Sequence, residues 1–71
     1  MKVRATAEAI ALRKQPVVSN ATLIKRLPLG TEFVVTEPNG ETKIGRNDQW
    51  LKVRDAAGTE GYVAAWFVAR C

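Results

Sequence analysis

WLKVRDAAGTEGYVAAWFV, residues 50–68, contains two short strands joined by a turn. Apolar Leu51 and Val53 alternate with charged residues, and this period of two is typical of a strand with one buried face. Ala57-Gly58 can turn the chain, after which Gly61-Tyr62-Val63 begins a second strand. The stretch therefore predicts an antiparallel pair of strands, and a small β-domain built around it.

The end of this stretch predicts how the domain finishes. Ala64-Ala65-Trp66 is short and has no room for an α-helix before Phe67-Val68-Ala69. We therefore expect a single 3-10 turn there, followed by apolar residues that complete the sheet.

The chain before residue 50 contains further strand patterns. They cover Val3–Leu12, Leu23–Leu27 and Thr31–Thr36. The alternation in the first changes phase near Glu8-Ala9, which requires a bulge or turn at that point. Pro28-Leu29-Gly30 predicts a turn whose glycine takes a positive φ.

The longest irregular segment runs from Glu37 to Gln49. Asn39-Gly40 within it is a strong two-residue hairpin signal. The third strand is therefore expected to extend and return through Thr42–Ile44.

These patterns predict an all-β fold, a five-stranded, partly open barrel with a 3-10 turn before the last strand. The apolar residues in the inward phase form the expected core: Ile10, Leu12, Ile24, Leu27, Phe33, Val35, Val53, Val63 and Val68.

Length and composition exclude most catalytic chemistry. Seventy-one residues suffice for one small domain. The chain has no histidine and one cysteine, so the usual general base and metal ligands are missing, and no metal or cofactor is expected. The carboxylates Glu37, Glu41 and Asp48 lie in one loop without an evident pocket. We therefore predict a non-catalytic binding module.

The hydropathy and charge patterns indicate whether the chain could cross a membrane or bind nucleic acid. No apolar run reaches the length of a membrane span, and the first residues lack the apolar stretch of a signal peptide. Residues 1–26 carry six basic groups and one acidic group, which leaves binding of nucleic acid through a basic face as an alternative function. Solvated strand-edge charges explain the same distribution, and no RNA-binding aromatic motif accompanies it.

Four motifs in order resemble the bacterial SH3 family (SH3b). The matching stretches are Ile10-Ala11-Leu12-Arg13 with Pro16, Leu27-Pro28-Leu29-Gly30-Thr31, Trp50-Leu51-Lys52-Val53-Arg54 and Gly61–Val68. The resemblance covers nearly the whole chain and implies the SH3-like barrel.

The resemblance also implies a function. Members of this family are mostly extracellular or cell-envelope modules attached to cell-wall hydrolases. The implied ligand is peptidoglycan or a cell-wall peptide. The resemblance also implies that residues 1–71 are a single barrel excised from a larger parent protein, in which an enzyme domain flanks the barrel.

Aromatic rings at one end of such a barrel suit a sugar or peptide surface. The predicted ligand-binding residues are Trp50, Tyr62, Trp66, Phe67 and Arg13. Trp50 is expected to be partly exposed at the barrel rim, because Leu51 and Val53 take the other phase of the strand, and full burial of Trp66 in a tight turn is not expected. Three of the five residues have a structural alternative: Tyr62 can support packing, Trp66 can cap the barrel, and Arg13 can be a solvated charge.

A second reading is an SH3-like adaptor that binds proline-rich peptide. The ending Gly61–Val68 resembles that of eukaryotic SH3 domains. However, Ala64 stands where their groove proline would be, Phe67 lacks the ligand-binding hydroxyl, and Arg13-Lys14 replaces their acidic loop.

Overall fold

The computed structural model describes every residue from Met1 to Cys71. It contains seven strands and three 3-10 turns, and no α-helix. The strands are β1 (Lys2–Ala5), β2 (Ile10–Arg13), β3 (Leu23–Leu27), β4 (Glu32–Val35), β5 (Trp50–Arg54), β6 (Glu60–Ala64) and β7 (Val68–Arg70). The turns are Asn20–Thr22, Gly40–Thr42 and Ala65–Phe67. The all-β prediction is confirmed, and no helix is available that could cross a membrane.

All seven strands form one antiparallel sheet in the order β3-β2-β6-β5-β4-β1-β7. Every strand except β3 contributes a buried side chain to a single core, which consists of Val3, Ala5, Ile10, Leu12, Phe33, Leu51, Val53, Val63, Ala65 and Val68. Strands far apart in the sheet order can share one core only if the sheet curls around it. The result is the small open barrel that the sequence predicts.

The strand count exceeds the predicted five for two local reasons. The stretch predicted as one strand over Val3–Leu12 divides into β1 and β2, because the chain turns at Glu8-Ala9, where Ala9 has φ 54°. The phase change in the sequence marked this turn. In addition, residues Val68–Arg70 pair with β1 as a seventh strand.

The predicted core is largely confirmed. Of the nine residues, Leu27 and Val35 are half-buried against the core, and six are buried: Ile10, Leu12, Phe33, Val53, Val63 and Val68.

The prediction for Ile24 is wrong. Its side chain is 36% exposed, because the phase of β3 follows its pairing with β2. Leu27 lies opposite Ile10, and Lys25 lies opposite Leu12. Residues opposite buried partners share the inner face, so Ile24 points outward. Lys25 takes the inner position and forms an ion pair with Asp55.

The hairpin predicted at Asn39-Gly40 is also wrong. A two-residue type I′ turn needs positive φ at both central residues, but only Asn39 has one, at 59°. The segment Gly40–Thr42 forms a 3-10 turn instead of a returning strand. Gly40 packs so tightly that a methyl group there would lie 2.6 Å from Val35 Cγ1 and 2.9 Å from Leu51 Cδ1.

Candidate functional site

An open groove with a volume of about 230 Å³ lies on the outer surface, where β2 and its neighbours meet the last 3-10 turn. We call this site the groove. Its lining comprises the aromatic residues Trp50, Trp66 and Phe67, the alanines Ala7, Ala9, Ala11 and Ala64, the aliphatic residues Ile10 and Val18, and the charged residues Glu8, Arg13 and Arg26. Most of this surface is apolar, with charged groups among it, as in many sites for small ligands.

The aromatic residues form a continuous cluster. The ring centroids of Trp50 and Trp66 are 5.7 Å apart with planes at 74°, and those of Trp66 and Phe67 are 5.6 Å apart at 46°. Both tryptophans are half-buried, as predicted for Trp50, and Phe67 is 42% exposed. The cluster therefore offers ring surface to a ligand while each ring also supports its neighbour.

The 3-10 turn explains why two of these rings face outward. It spans Ala65–Phe67, one residue later than predicted. Ala65 is fully buried, donates its N–H to the Gln49 carbonyl at 3.0 Å, and accepts from the Gly45 N–H at 2.8 Å. With Ala65 fixed in the core, the next two positions of the turn, Trp66 and Phe67, lie at the surface beside the groove.

Arg13 is not a solvated charge, since only 7% of the residue is exposed. Its Nη1 donates to the Ser19 carbonyl at 2.8 Å and to Thr22 Oγ1 at 3.3 Å. The Thr22 hydroxyl lies 2.6 Å from the Val17 carbonyl. The arginine thus holds the loop of residues 14–22 against β2, while the same side chain lines the groove.

The donors of Arg13 are not all in use. Its Nε is buried and has no hydrogen-bond partner. A buried unpaired N–H costs stability unless a ligand or water satisfies it.

Tyr62 lies outside the groove. It pairs with Lys52 on one side and Arg13 on the other, whereas Ala64 is the residue opposite Trp50. The structure therefore brings together Trp50, Trp66, Phe67 and Arg13, and places Tyr62 one step along the same outer face.

The other margin of the groove was not predicted from the sequence. Arg26 donates from Nη1 to the Ala9 carbonyl at 3.0 Å, and Glu8 Oε1 accepts from the Leu29 N–H at 2.8 Å. The phase change at Glu8-Ala9 indicated a turn, but only the folded register reveals that this turn borders the aromatic cluster.

The two carboxyl groups with shifted pKa values lie elsewhere. The hydrogen bond from Lys25 lowers the pKa of Asp55 against the opposing effect of burial, with help from the Thr59 and Ala57 N–H groups. For Glu37, burial raises the pKa, but the hydrogen bonds from Lys43 and the Lys52 N–H outweigh it and the net pKa is lowered. Both carboxylates are held ionised by lysines, which suits structural ion pairs rather than proton transfer.

The loop carboxylates considered for catalysis do not form a site. Glu37 is paired with Lys43 at 2.9 Å, and Glu41 and Asp48 are exposed. No group of three or more histidine, cysteine, aspartate or glutamate side chains is arranged to hold a metal ion.

Comparison with known protein families gives a match. The family model described as "Bacterial SH3 domain" matches residues 8–69. No curated protein and no solved structure matches. The matched segment contains all of β2 to β6, the 3-10 turn with Trp66 and Phe67, and nearly all of the groove. Because the match spans most of the length of the chain, the chain belongs to the bacterial SH3 domain family.

Proposed function

We propose that the groove binds bacterial cell wall, with peptidoglycan or its peptide as the ligand, and that the domain targets a flanking enzyme domain to it in the extracellular space or cell envelope. Domains of the bacterial SH3 family are generally non-catalytic binding modules.

The clustering of Trp50, Trp66 and Phe67 along one groove carries the proposal. Exposed aromatic surface on a small domain is costly in water, and rigid rings give large contact area at a low entropic cost. Phe67 is the most exposed of the three. A sugar face or an extended peptide would cover this surface.

The proposed contact residues are Trp50, Trp66, Phe67 and Arg13. Tyr62 remains a predicted contact for a ligand that extends beyond the groove along the outer face of β6. The lining does not favour a proline-rich peptide with a basic anchor, since the groove has two arginines and one glutamate.

The direct test is co-sedimentation of the purified chain with insoluble peptidoglycan at rising salt concentration. We expect saturable binding that weakens only modestly with salt, because apolar ring contacts dominate. The same incubation should release no soluble wall fragments. A steep salt dependence together with binding to an arbitrary RNA or DNA would instead identify the basic residues 1–26 as the functional surface.

A further inference from the structure

We propose that the groove recognises a carboxylate on its ligand, held by the guanidinium groups of Arg13 and Arg26 beside Ala11. This rests on the proposed role of the groove as a binding site and specifies the chemistry of its ligand. The ligand class is a short extended peptide of small residues that carries a free carboxylate.

Strand register places the two arginines around one small residue. Arg26 on β3 lies directly opposite Ala11 on β2, so their Cβ atoms are neighbours on the outer face. Arg13 is two residues further along β2, about 7 Å away. All three residues line the groove. A ligand lying over Ala11 would therefore have both guanidinium groups within reach.

Both arginines keep donors free for a ligand. Nη1 of Arg13 is occupied by Ser19 and Thr22, but its Nε has no partner, and its Nη2 makes no hydrogen bond within the protein. Nε and Nη2 together form one edge of the guanidinium, the edge that binds both oxygens of a carboxylate. Because Nε is buried, a carboxylate can reach both donors only if the side chains that cover Nε move aside. Arg26 uses only Nη1, toward the Ala9 carbonyl.

The rest of the lining limits what else the ligand carries. Four of the lining residues are alanines, so the ligand backbone can approach the sheet closely. The aromatic cluster can cover small side chains or methyl groups. Glu8 also lines the groove, and its charge disfavours a doubly charged phosphate more than a singly charged carboxylate.

The test compares two probes, N-acetyl-trialanine with a free carboxyl end and the same peptide with a carboxamide end. Both tryptophans of the chain line the groove, so intrinsic fluorescence reports directly on occupancy. We expect the carboxylate form to bind at least about fivefold more tightly, since charge-assisted bonds to arginine are the stronger class. The NMR signal of Arg13 Nε–H should shift with the carboxylate peptide and not with the amide.

Arg26→Gln removes the second guanidinium and leaves Arg13, which holds the loop of residues 14–22, unchanged. It should reduce the preference for the carboxylate form to less than about twofold. Arg54→Gln is the matched control, because Arg54 is exposed on β5 and does not line the groove; it should leave the preference unchanged. Arg13→Lys keeps the charge but loses the paired donors of the planar guanidinium, so it should also reduce the preference for the carboxylate form. Its urea midpoint shows whether this variant is folded.

Equal affinity for the two peptides, or no binding of either at about 20 mM, would overturn the proposal. Displacement of the peptide by methyl phosphate more strongly than by acetate would overturn it in favour of a phosphate ligand. Wild-type sedimentation with peptidoglycan separates the two claims. If wall binding persists while the peptides are not distinguished, the carboxylate proposal fails and the proposed function stands.

Discussion

Asp55 joins the turn between β5 and β6 to the edge strand β3. Its side chain is 4% exposed and forms an ion pair with Lys25. Its Oδ1 accepts from the Ala57 N–H at 3.0 Å and the Thr59 N–H at 2.9 Å. One carboxylate therefore shapes the turn and holds the sheet edge on which Arg26 also lies.

Replacing Asp55 with alanine should lower the free energy of unfolding by about 2 to 3 kcal/mol, because two N–H groups and a lysine lose their acceptor. Asp55→Asn should cost less, since the amide oxygen can still accept from the turn. Urea denaturation measures both, with the exposed Glu60→Ala as control. Wild-type stability in Asp55→Ala would contradict this role.

The lowered pKa of Asp55 also predicts a dependence of stability on pH. A group whose pKa is lower in the folded than in the unfolded state contributes its full stabilisation above its unfolded pKa, about 3.9 for aspartate. That contribution is lost as the pH falls through the folded pKa. Glu37 acts in the same direction. We expect the unfolding free energy of the wild type to fall more steeply below about pH 4 than that of Asp55→Asn, and equal slopes would refute the assignment.

Single residues show where sequence patterns suffice. Phe33 and Val53 were predictable because strand alternation alone assigns them to the core. Ile24 was not, because its neighbours on both sides are also long side chains and the phase of β3 depends on its partner strand. The burial of Arg13 depends on acceptors in a loop six and nine residues later, which no local pattern reveals.

At the scale of elements, the close approach of β2 and β6 positions the groove. Gly61 makes it possible, since a methyl group there would lie 2.7 Å from the Arg13 carbonyl oxygen and 3.0 Å from Leu12 Cδ1. The obstacle on one side is backbone, which cannot rotate away as a side chain can. The pairing of Arg13 with Tyr62 depends on this approach.

Gly61→Ala should therefore destabilise the domain by about 1 to 3 kcal/mol, the usual cost of forcing a methyl group into a packed site. It should also weaken ligand binding, because β2 carries Ala11 and Arg13 into the groove. Chemical denaturation and peptidoglycan sedimentation measure the two effects, with Glu60→Ala on the same strand as control. A change of less than about 0.5 kcal/mol would show that the strands separate without cost.

Element boundaries were predictable where a local signal was unambiguous. The phase change at Glu8-Ala9 and the glycine at Gly30, with φ 87°, are both found as turns. The hairpin prediction at Asn39-Gly40 was wrong because this turn signal applies only where both flanking segments can pair as strands. Here Gly40 is instead buried against Val35 and Leu51, a tertiary contact that overrides the local preference.

At the scale of the whole molecule, charge and groove chemistry predict which peptides the domain rejects. Proline-rich peptides should bind no more tightly than about 1 mM, or roughly 4 kcal/mol. The groove offers Ala64 and Phe67 where a polyproline site needs a proline and a hydroxyl, and Arg13 repels a basic anchor. Isothermal titration measures this, and micromolar affinity would favour the adaptor function.

The aromatic half of the groove was predictable from position in the strands and turn, and the other half was not. Trp50 opens a strand and Trp66 lies in a tight turn, so partial exposure followed from the sequence. The alanines near residue 9 and Arg26 come from distant segments that meet only when β2 pairs with β3 and the sheet curls. Their contribution depends on register, which alternation does not specify.

Whether the aromatic cluster binds ligand or caps the core is the central question, and Trp66→Ala decides it. Trp66 is half-buried and touches both Trp50 and Phe67. A binding role predicts that its loss weakens attachment to peptidoglycan by at least about 1 to 2 kcal/mol, with a smaller loss of folding stability. Leu29→Ala, which removes an exposed apolar side chain outside the groove, is the matched control.

The decisive measurement is therefore sedimentation of Trp66→Ala with purified cell wall, made on the same preparation as its urea denaturation midpoint. We expect reduced wall binding by a protein that remains folded, while Leu29→Ala binds as the wild type does. Unchanged wall binding combined with a loss of about 3 kcal/mol or more in stability, the cost of removing a buried ring, would contradict the account and show that Trp66 is a structural cap.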